Sequence, residues 1–368
     1  MTSSVQKHGG NFREAALTFG IPESDWIDFS SNLNPFAQEV SAEQWTQWRD
    51  EILRYPELNP FTLQKQISTV FEIDLNHLLP TSGGIEAIYL ASRLFHGKKV
   101  MILDPGFGDY ARALESAAVS FDRIDIPSTE WIAPTAEGLR KMTKDHDVVV
   151  VGNPNNPTGH AYTRDQILKA KKPNQIWLVD EAFIEFCPHS DDYTFLPILK
   201  DDPNLIIVRS LTKCRQIPGL RLGFVATSNS LWMKELKRFQ YPWSINGIAQ
   251  KWAKEFLTLS EKEKLSVHFK KLISLREKQT VQINSIDGLH VYPSVTNFLL
   301  IEITDPSQGA NFIYRKLGER GILIRTCHSF HVLTPDRFFR IAIRSEEENA
   351  RLVSALREIL PVKSLEAA

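Results

Sequence analysis

Arg209-Ser210-Leu211-Thr212-Lys213-Cys214-Arg215-Gln216-Ile217-Pro218-Gly219-Leu220-Arg221-Leu222-Gly223 follows directly on an apolar run, Leu205-Ile206-Ile207-Val208. Such a run reads as a strand buried on both faces, the kind found in the middle of a parallel sheet. Lys213 then stands just past the end of a central strand, where open α/β sheets hold their ligands. A lone lysine is ordinarily a surface ammonium. This one has Ser210 shortly before it, and Arg221 beyond a Pro218-Gly219 turn that can fold the guanidinium back toward the amine. Burial and nearby cations lower an amine's pKa and make it a nucleophile for carbonyl carbon, while a hydroxyl and a guanidinium beside it suit a phosphate.

An aldehyde that carries a phosphate is pyridoxal 5'-phosphate, and the remaining chain supplies further parts for it. The next strand candidates outward are Val100 to Leu103, Val148 to Val151, Ile176 to Val179 and Leu222 to Val225, with helices between them such as Ile85 to Phe95 and Thr163 to Ala170. This alternation predicts an α/β domain with a mainly parallel sheet. Pro80-Thr81-Ser82-Gly83-Gly84-Ile85-Glu86 leads into a helix, so amides at Gly84 and Ile85 can meet a phosphate at the positive end of its dipole. Phe107 follows one strand and suits stacking on a flat ring, although a core role fits an isolated Phe equally well. Asn153-Pro154-Asn155-Asn156-Pro157-Thr158-Gly159 reads as a turn on its prolines alone, yet Asn156 is placed to donate to a phenolate oxygen. Asp180, the first residue after the Ile176 to Val179 strand, is either a helix cap or the anion that keeps a pyridine nitrogen protonated.

The texture changes near Ser260. Leu265, Phe269, Leu272 and Leu275 share one face of a long charged helix, and strand candidates follow at Phe298 to Ile303, Ile322 to Ile324 and Phe338 to Ile343. A last helix begins at Ser345, with Glu348 completing its capping box. Near the other end, Asn11 and Glu14 open a short helix to Phe19. The expected division is a large cofactor-binding domain over 45–260 and a smaller α+β domain formed by 1–44 with 261–368.

The chain of 368 residues is 42% hydrophobic and 24% charged, with a formal net charge of -1. That balance leaves no electrostatic footprint for nucleic acid or an anionic membrane. No apolar run reaches the ~20 residues of a membrane span and no signal peptide core is visible, so a cytoplasmic protein is expected. Cys187, Cys214 and Cys327 are too scattered for a disulfide framework or a metal site.

Taken in order, Ser82-Gly83-Gly84, Phe107, Asn156, Asp180, Ser210, Lys213, Arg221 and Arg340 resemble a fold-type I pyridoxal-phosphate enzyme of the aspartate aminotransferase superfamily, over essentially the whole chain. The resemblance implies that Lys213 holds the cofactor aldehyde covalently, that Asp180 faces the ring nitrogen and that Asn156 contacts O3'. It implies phosphate contacts from Ser210, Arg221 and the Gly83 to Ile85 turn. It also implies a homodimer in which Tyr55 reaches the phosphate held by the other subunit.

Two branches of that superfamily compete, the histidinol-phosphate aminotransferases and the threonine-phosphate decarboxylases of cobalamin synthesis. His8-Gly9-Gly10-Asn11, Asn32-Leu33-Asn34-Pro35, Asp180-Glu181-Ala182-Phe183 and Tyr241-Pro242-Trp243-Ser244-Ile245-Asn246 are closer to the decarboxylases. In the aminotransferases the position of Leu33 is typically a glutamate suited to an imidazole, and that of Phe183 a tyrosine. The decarboxylase resemblance implies substrate contacts from His8, Gly9, Asn32, Asn156, Arg325 and Arg340, and a phosphorylated amino acid, O-phospho-L-threonine, as substrate. Cys214-Arg215-Gln216 and His331 depart from that branch's usual residues. Arg340 and Arg344 are expected on one strand, ~13 Å apart at ~3.3 Å per residue, too far to grip one small anion together. An aminotransferase is the competing enzyme expectation. A cofactor-binding regulator is the remote one, without any appended DNA-binding segment to support it.

Overall fold

Val148-Val149-Val150-Val151 lies fully buried in the middle of a seven-stranded sheet, as its unbroken β-branched run requires. The computed structural model describes residues 8–36, 40–127, 133–333 and 336–360. Across the sheet the strands run Leu78–Thr81, Gly223–Ala226, Leu205–Ser210, Ile176–Asp180, Val148–Gly152, Val100–Asp104 and Phe121–Asp125. All are parallel except Gly223–Ala226, which is antiparallel to both its neighbours. The mainly parallel sheet expected from the sequence is therefore present, with edge strands Leu78–Thr81 and Phe121–Asp125 that the sequence reading did not pick out. Phe121–Asp125 escaped because its outer position leaves Asp122 and Arg123 in solvent, which breaks the apolar run.

The antiparallel strand places the site. Ser82, Asp180 and the Lys213 turn lie at or just beyond the C-terminal ends of parallel strands. Arg221 precedes a strand that runs the other way, so it arrives at the same edge. No helix intervenes between Ser210 and Gly223, and without a crossover the chain returns antiparallel. Helix Gly83–Ser92 is pinned across the sheet by buried Ala87, Ile88, Leu90 and Ala91. Burial of each of the larger side chains contributes ~1.5–3 kcal/mol, which holds the helix's N-terminus firmly beside the Lys213 turn.

A second, four-stranded antiparallel sheet runs Arg325–Thr326, Phe338–Ala342, Phe298–Ile303 and Leu289–Val291. The 26-residue helix Leu259–Asn284 enters its core through Leu272, Leu275 and Ile283, with Phe269 partly buried beside them. The helix over Glu346–Ile359 opens on the Ser345/Glu348 capping box, and Asn11 caps helix Phe12–Phe19 through the Glu14 amide. The N-terminal segment joins this second sheet's core: Ile27–Asp28 pairs with Ile322–Leu323, and Ala342 donates to the Phe29 carbonyl at 2.8 Å.

Two expectations need correction here. The strand expected over Ile322 to Ile324 is two short pieces: Ile322–Leu323 pairs with the N-terminal segment, then Arg325–Thr326 pairs with Phe338–Ala342. Arg344 does not share a strand with Arg340, because the strand ends at Ala342. Its guanidinium instead pairs with Glu348 at 2.8 Å, one turn into the last helix.

Candidate active site

Between the C-terminal edge of the large sheet and the second sheet lies a cavity of about 1050 Å³ whose walls include His8, Asn32, Phe107, Asn156, Lys213 and Arg340. Ile85, Phe183, Arg221 and Arg325 reach it as well. Lys213 has a pKa lowered to about 8, first by burial and then by the Arg221 and Arg340 guanidiniums, with Asp180 acting in the opposite sense. Its ammonium lies 6.0 Å from the centre of the Phe183 ring, a phenyl face without a hydroxyl to compete for the cavity.

Asp180 is buried, and burial raises its pKa to about 6 against the hydrogen bonds that hold it down. The first of these comes from the Tyr110 hydroxyl at 2.8 Å, and Ala182 N donates at 3.1 Å. Tyr110 was missed by the sequence reading. Its signal is the Phe107-x-x-Tyr110 spacing at the start of helix Asp109–Ser116, which sets both rings side by side at 5.6 Å, edge to face. Beneath Asp180, Arg209 joins Glu181 at 2.8 Å and Glu185 at 2.9 Å, a buried network that ties two strand ends together.

The phosphate-type corner is built by close packing. Gly83 sits at φ 76, and an added Cβ there would stand 3.0 Å from the Arg221 guanidinium. A Cβ on Gly223 would meet the Arg209 carbonyl at 2.5 Å and the Gly84 nitrogen at 2.8 Å, so only glycine lets these backbones approach. The Ser210 hydroxyl is 2.7 Å from that of Thr212. The Ser82 amide is engaged by the Glu86 carboxylate, which leaves its side chain as the group it could offer a ligand.

On the other wall, Arg325 and Arg340 are direct partners across adjacent strands, both buried. Burial, then Arg325, lowers the Arg340 pKa to about 9. Arg340 donates to the Asn156 side-chain oxygen and, at 2.9 Å, to the Ser30 carbonyl, while its Nε lacks a partner among the described residues. That contact leaves the Asn156 amide nitrogen as a donor without a partner among the described residues. Arg325 donates to Thr326 O at 3.0 Å and to the Ser329 hydroxyl at 2.5 Å. Asn32 is buried, and its side-chain oxygen has no partner among the described residues. The His8 imidazole stands 3.7 Å from Asp109, and Gly9 lies so close to Ser30 that a Cβ would come within 2.2 Å of its carbonyl oxygen.

Tyr55 is not brought to this cavity: it is 83% exposed, with its ring 4.9 Å from that of Trp243. All other residues expected at the site from the sequence converge around the cleft or form its supporting turns.

A profile of the family described as aminotransferase class I and II matches residues 24–356, and the chain belongs to that family. It is 34% identical to the threonine-phosphate decarboxylase of Salmonella typhimurium, over 96% of each chain. An adenosylcobalamin biosynthesis bifunctional protein of Leptospira interrogans is 26% identical over 97% of this chain and 41% of its own length. Among solved structures, the histidinol-phosphate aminotransferase of Clostridium acetobutylicum superposes with a TM-score of 0.81 at 27% identity, covering 90% of this chain and 98% of that one. The family's cofactor is pyridoxal 5'-phosphate. The donor set fits it: a desolvated amine, a buried carboxylate, an available amide donor and a glycine-lined corner beside Arg221 and Ser210. Among the described residues no cluster suits a metal ion, and no helix is long and apolar enough to cross a membrane.

Proposed function

We propose that the protein decarboxylates O-phospho-L-threonine to an aminopropanol phosphate, in the service of cobalamin assembly. The observation that carries this reading is the Arg325/Arg340 pair: two buried guanidiniums side by side in a cleft suit a substrate with two anionic groups. Lys213 would hold the cofactor, Asp180 its ring nitrogen, Asn156 its O3', Phe107 its ring face, and Ser210, Arg221 and the Gly83–Ile85 turn its phosphate. When bound, that cofactor supplies an electron sink conjugated to the α-carbon of the amino acid.

The chain's own residues then select the bond. Only the α-carbon bond held perpendicular to the ring can release its electrons, so the cleft must turn the carboxylate out of plane. Arg340 holds the carboxylate, while Arg325, with His8 and Asn32, anchors the phosphate. Each charge-assisted contact contributes about 1.5–3 kcal/mol, enough to favour one orientation tenfold or more. The bond from Cα to the carboxyl carbon breaks, CO2 departs, and a proton is returned to Cα. Lys213 Nζ, with a pKa of about 8, is suited to carry that proton at neutral pH.

Tyr55 supports assembly as a homodimer. Its exposed ring, tilted against that of Trp243, suits a phosphate contact from its hydroxyl in a second copy of the chain. Sedimentation should give a dimer, and Tyr55→Ala should loosen the cofactor; a fully active monomer would remove this part of the reading.

The deciding experiment supplies cofactor and O-phospho-L-threonine without any keto acid and measures CO2. Sustained release over many turnovers is expected. Amino-group exchange that needs a keto acid, with no CO2, would identify an aminotransferase instead.

A further inference from the structure

A second cavity, of about 540 Å³, shares no wall residue with the catalytic cleft. It lies where helices Gly247–Phe256 and Leu259–Asn284 meet the turn that follows Lys213, and Arg215, Trp252, Phe256, Leu265 and His268 form its walls. The volume is in the range of small-molecule sites.

The polar groups of this cavity are incompletely satisfied. Arg215 is only 8% exposed, yet the one hydrogen bond of its guanidinium among the described residues is a long one from Nη1 to the Phe256 carbonyl, 3.3 Å. Its Nε has no acceptor, and no carboxylate lies within ion-pair distance of it among the described residues. The buried Nδ1 of His268 has no partner among the described residues either. A buried cation without a counter-charge is costly, and an anion in the cavity relieves that cost. The other wall is apolar and flat: Trp252 and Phe256 are stacked at 5.8 Å with 25° between their planes, beside buried Leu265. The remaining charges, Glu261 and Lys264, pair with each other at 2.6 Å and leave Arg215 uncompensated.

We infer that this cavity binds a small aromatic acid, a flat ring bearing a carboxylate or phosphate that meets Arg215 and His268 while the ring packs on Trp252 and Phe256. Occupancy would bear on the catalytic turn, because Arg215 lies two residues beyond Lys213, whose carbonyl accepts from Asn34 N at 3.0 Å and Gln216 N at 3.3 Å.

The test is isothermal titration of the cofactor-loaded full chain with benzoate and with phenyl phosphate, and with benzamide as the neutral control. Millimolar or tighter binding of an acid is expected, at least tenfold weaker for benzamide, and the tighter of the two acids identifies the anion. Arg215→Gln should weaken acid binding at this cavity at least tenfold, whereas Arg340→Gln, which removes anion binding in the catalytic cleft, should leave the binding that depends on Arg215 in place. Val267→Trp, at the exposed mouth of the cavity, provides a second variant that leaves the interior intact and should also block binding. The inference is overturned if wild-type protein binds neither acid, if Arg215→Gln binds as wild type does, or if Arg340→Gln abolishes binding. It is equally overturned if Val267→Trp dissociates the protein into monomers without affecting benzoate, which would make this face a contact between copies.

Discussion

Arg325 and Arg340 stand directly opposite each other on adjacent antiparallel strands, both buried and facing the same cleft. Like charges at such a pair destabilise a sheet. Strand pairing and core packing hold them there, and on the proposed reading an anionic ligand relieves the repulsion. Inorganic phosphate should therefore raise the melting temperature of the wild-type protein, and Arg325→Gln or Arg340→Gln should lose most of that shift. Each substitution should lower kcat/KM for O-phospho-L-threonine by roughly ten- to a hundredfold. Thermal unfolding with and without phosphate, beside steady-state kinetics, checks both expectations.

On the proposed reading, turnover depends on Lys213. Lys213→Ala should abolish CO2 release and the visible absorption of bound cofactor. Retention of full activity would refute its role.

The depressed pKa of that lysine sets how fast cofactor-free protein captures pyridoxal phosphate. With a pKa lowered to about 8 by burial and two guanidiniums, about one amine in ten is uncharged at pH 7, against roughly three in ten thousand for an ordinary lysine. The capture rate should rise with pH and level off above about 8. Stopped-flow absorbance over a pH series measures this, and a rise continuing to pH 10 would contradict the assignment.

Asp180 carries the opposite cost. Its folded pKa of about 6 exceeds the ordinary 3.8, so its stability contribution is fully present below the lower value and is lost as pH rises through the upper one. In the cofactor-free protein, Asp180→Asn should be more stable than wild type at pH 8, by up to ~3 kcal/mol, with the gain vanishing toward pH 4. Denaturant unfolding at the two pH values is the measurement, and activity should fall even as stability rises.

Tyr110 donates the hydrogen bond that most opposes burial at Asp180. Tyr110→Phe should raise the Asp180 pKa further and move the acid limb of cofactor binding upward by about one to two pH units. Cofactor affinity titrated from pH 5 to 8 would reveal it; an unmoved limb would show that the hydroxyl is incidental.

The sequence by itself determined the parts whose chemistry is local. An unbroken apolar run followed by Ser210, Lys213 and Arg221 requires a buried strand with a nucleophile at its end, and Gly83-Gly84 before a helix requires a turn open to an anion. Those signals survive any tertiary arrangement, because they depend on residues close in the chain. Tertiary structure alone decided the rest. Nothing local tells Arg325 that Arg340 will be its partner, since strand register is fixed by side chains packed across the whole sheet. Ile324 reads as part of one strand, but the chain passes there from the N-terminal pair to the four-stranded sheet. Tyr110 acquires its role only when strand Ile176–Asp180 brings Asp180 to it from 70 residues away. Arg215, likewise, is an ordinary arginine until two helices close over it and withhold a counter-ion.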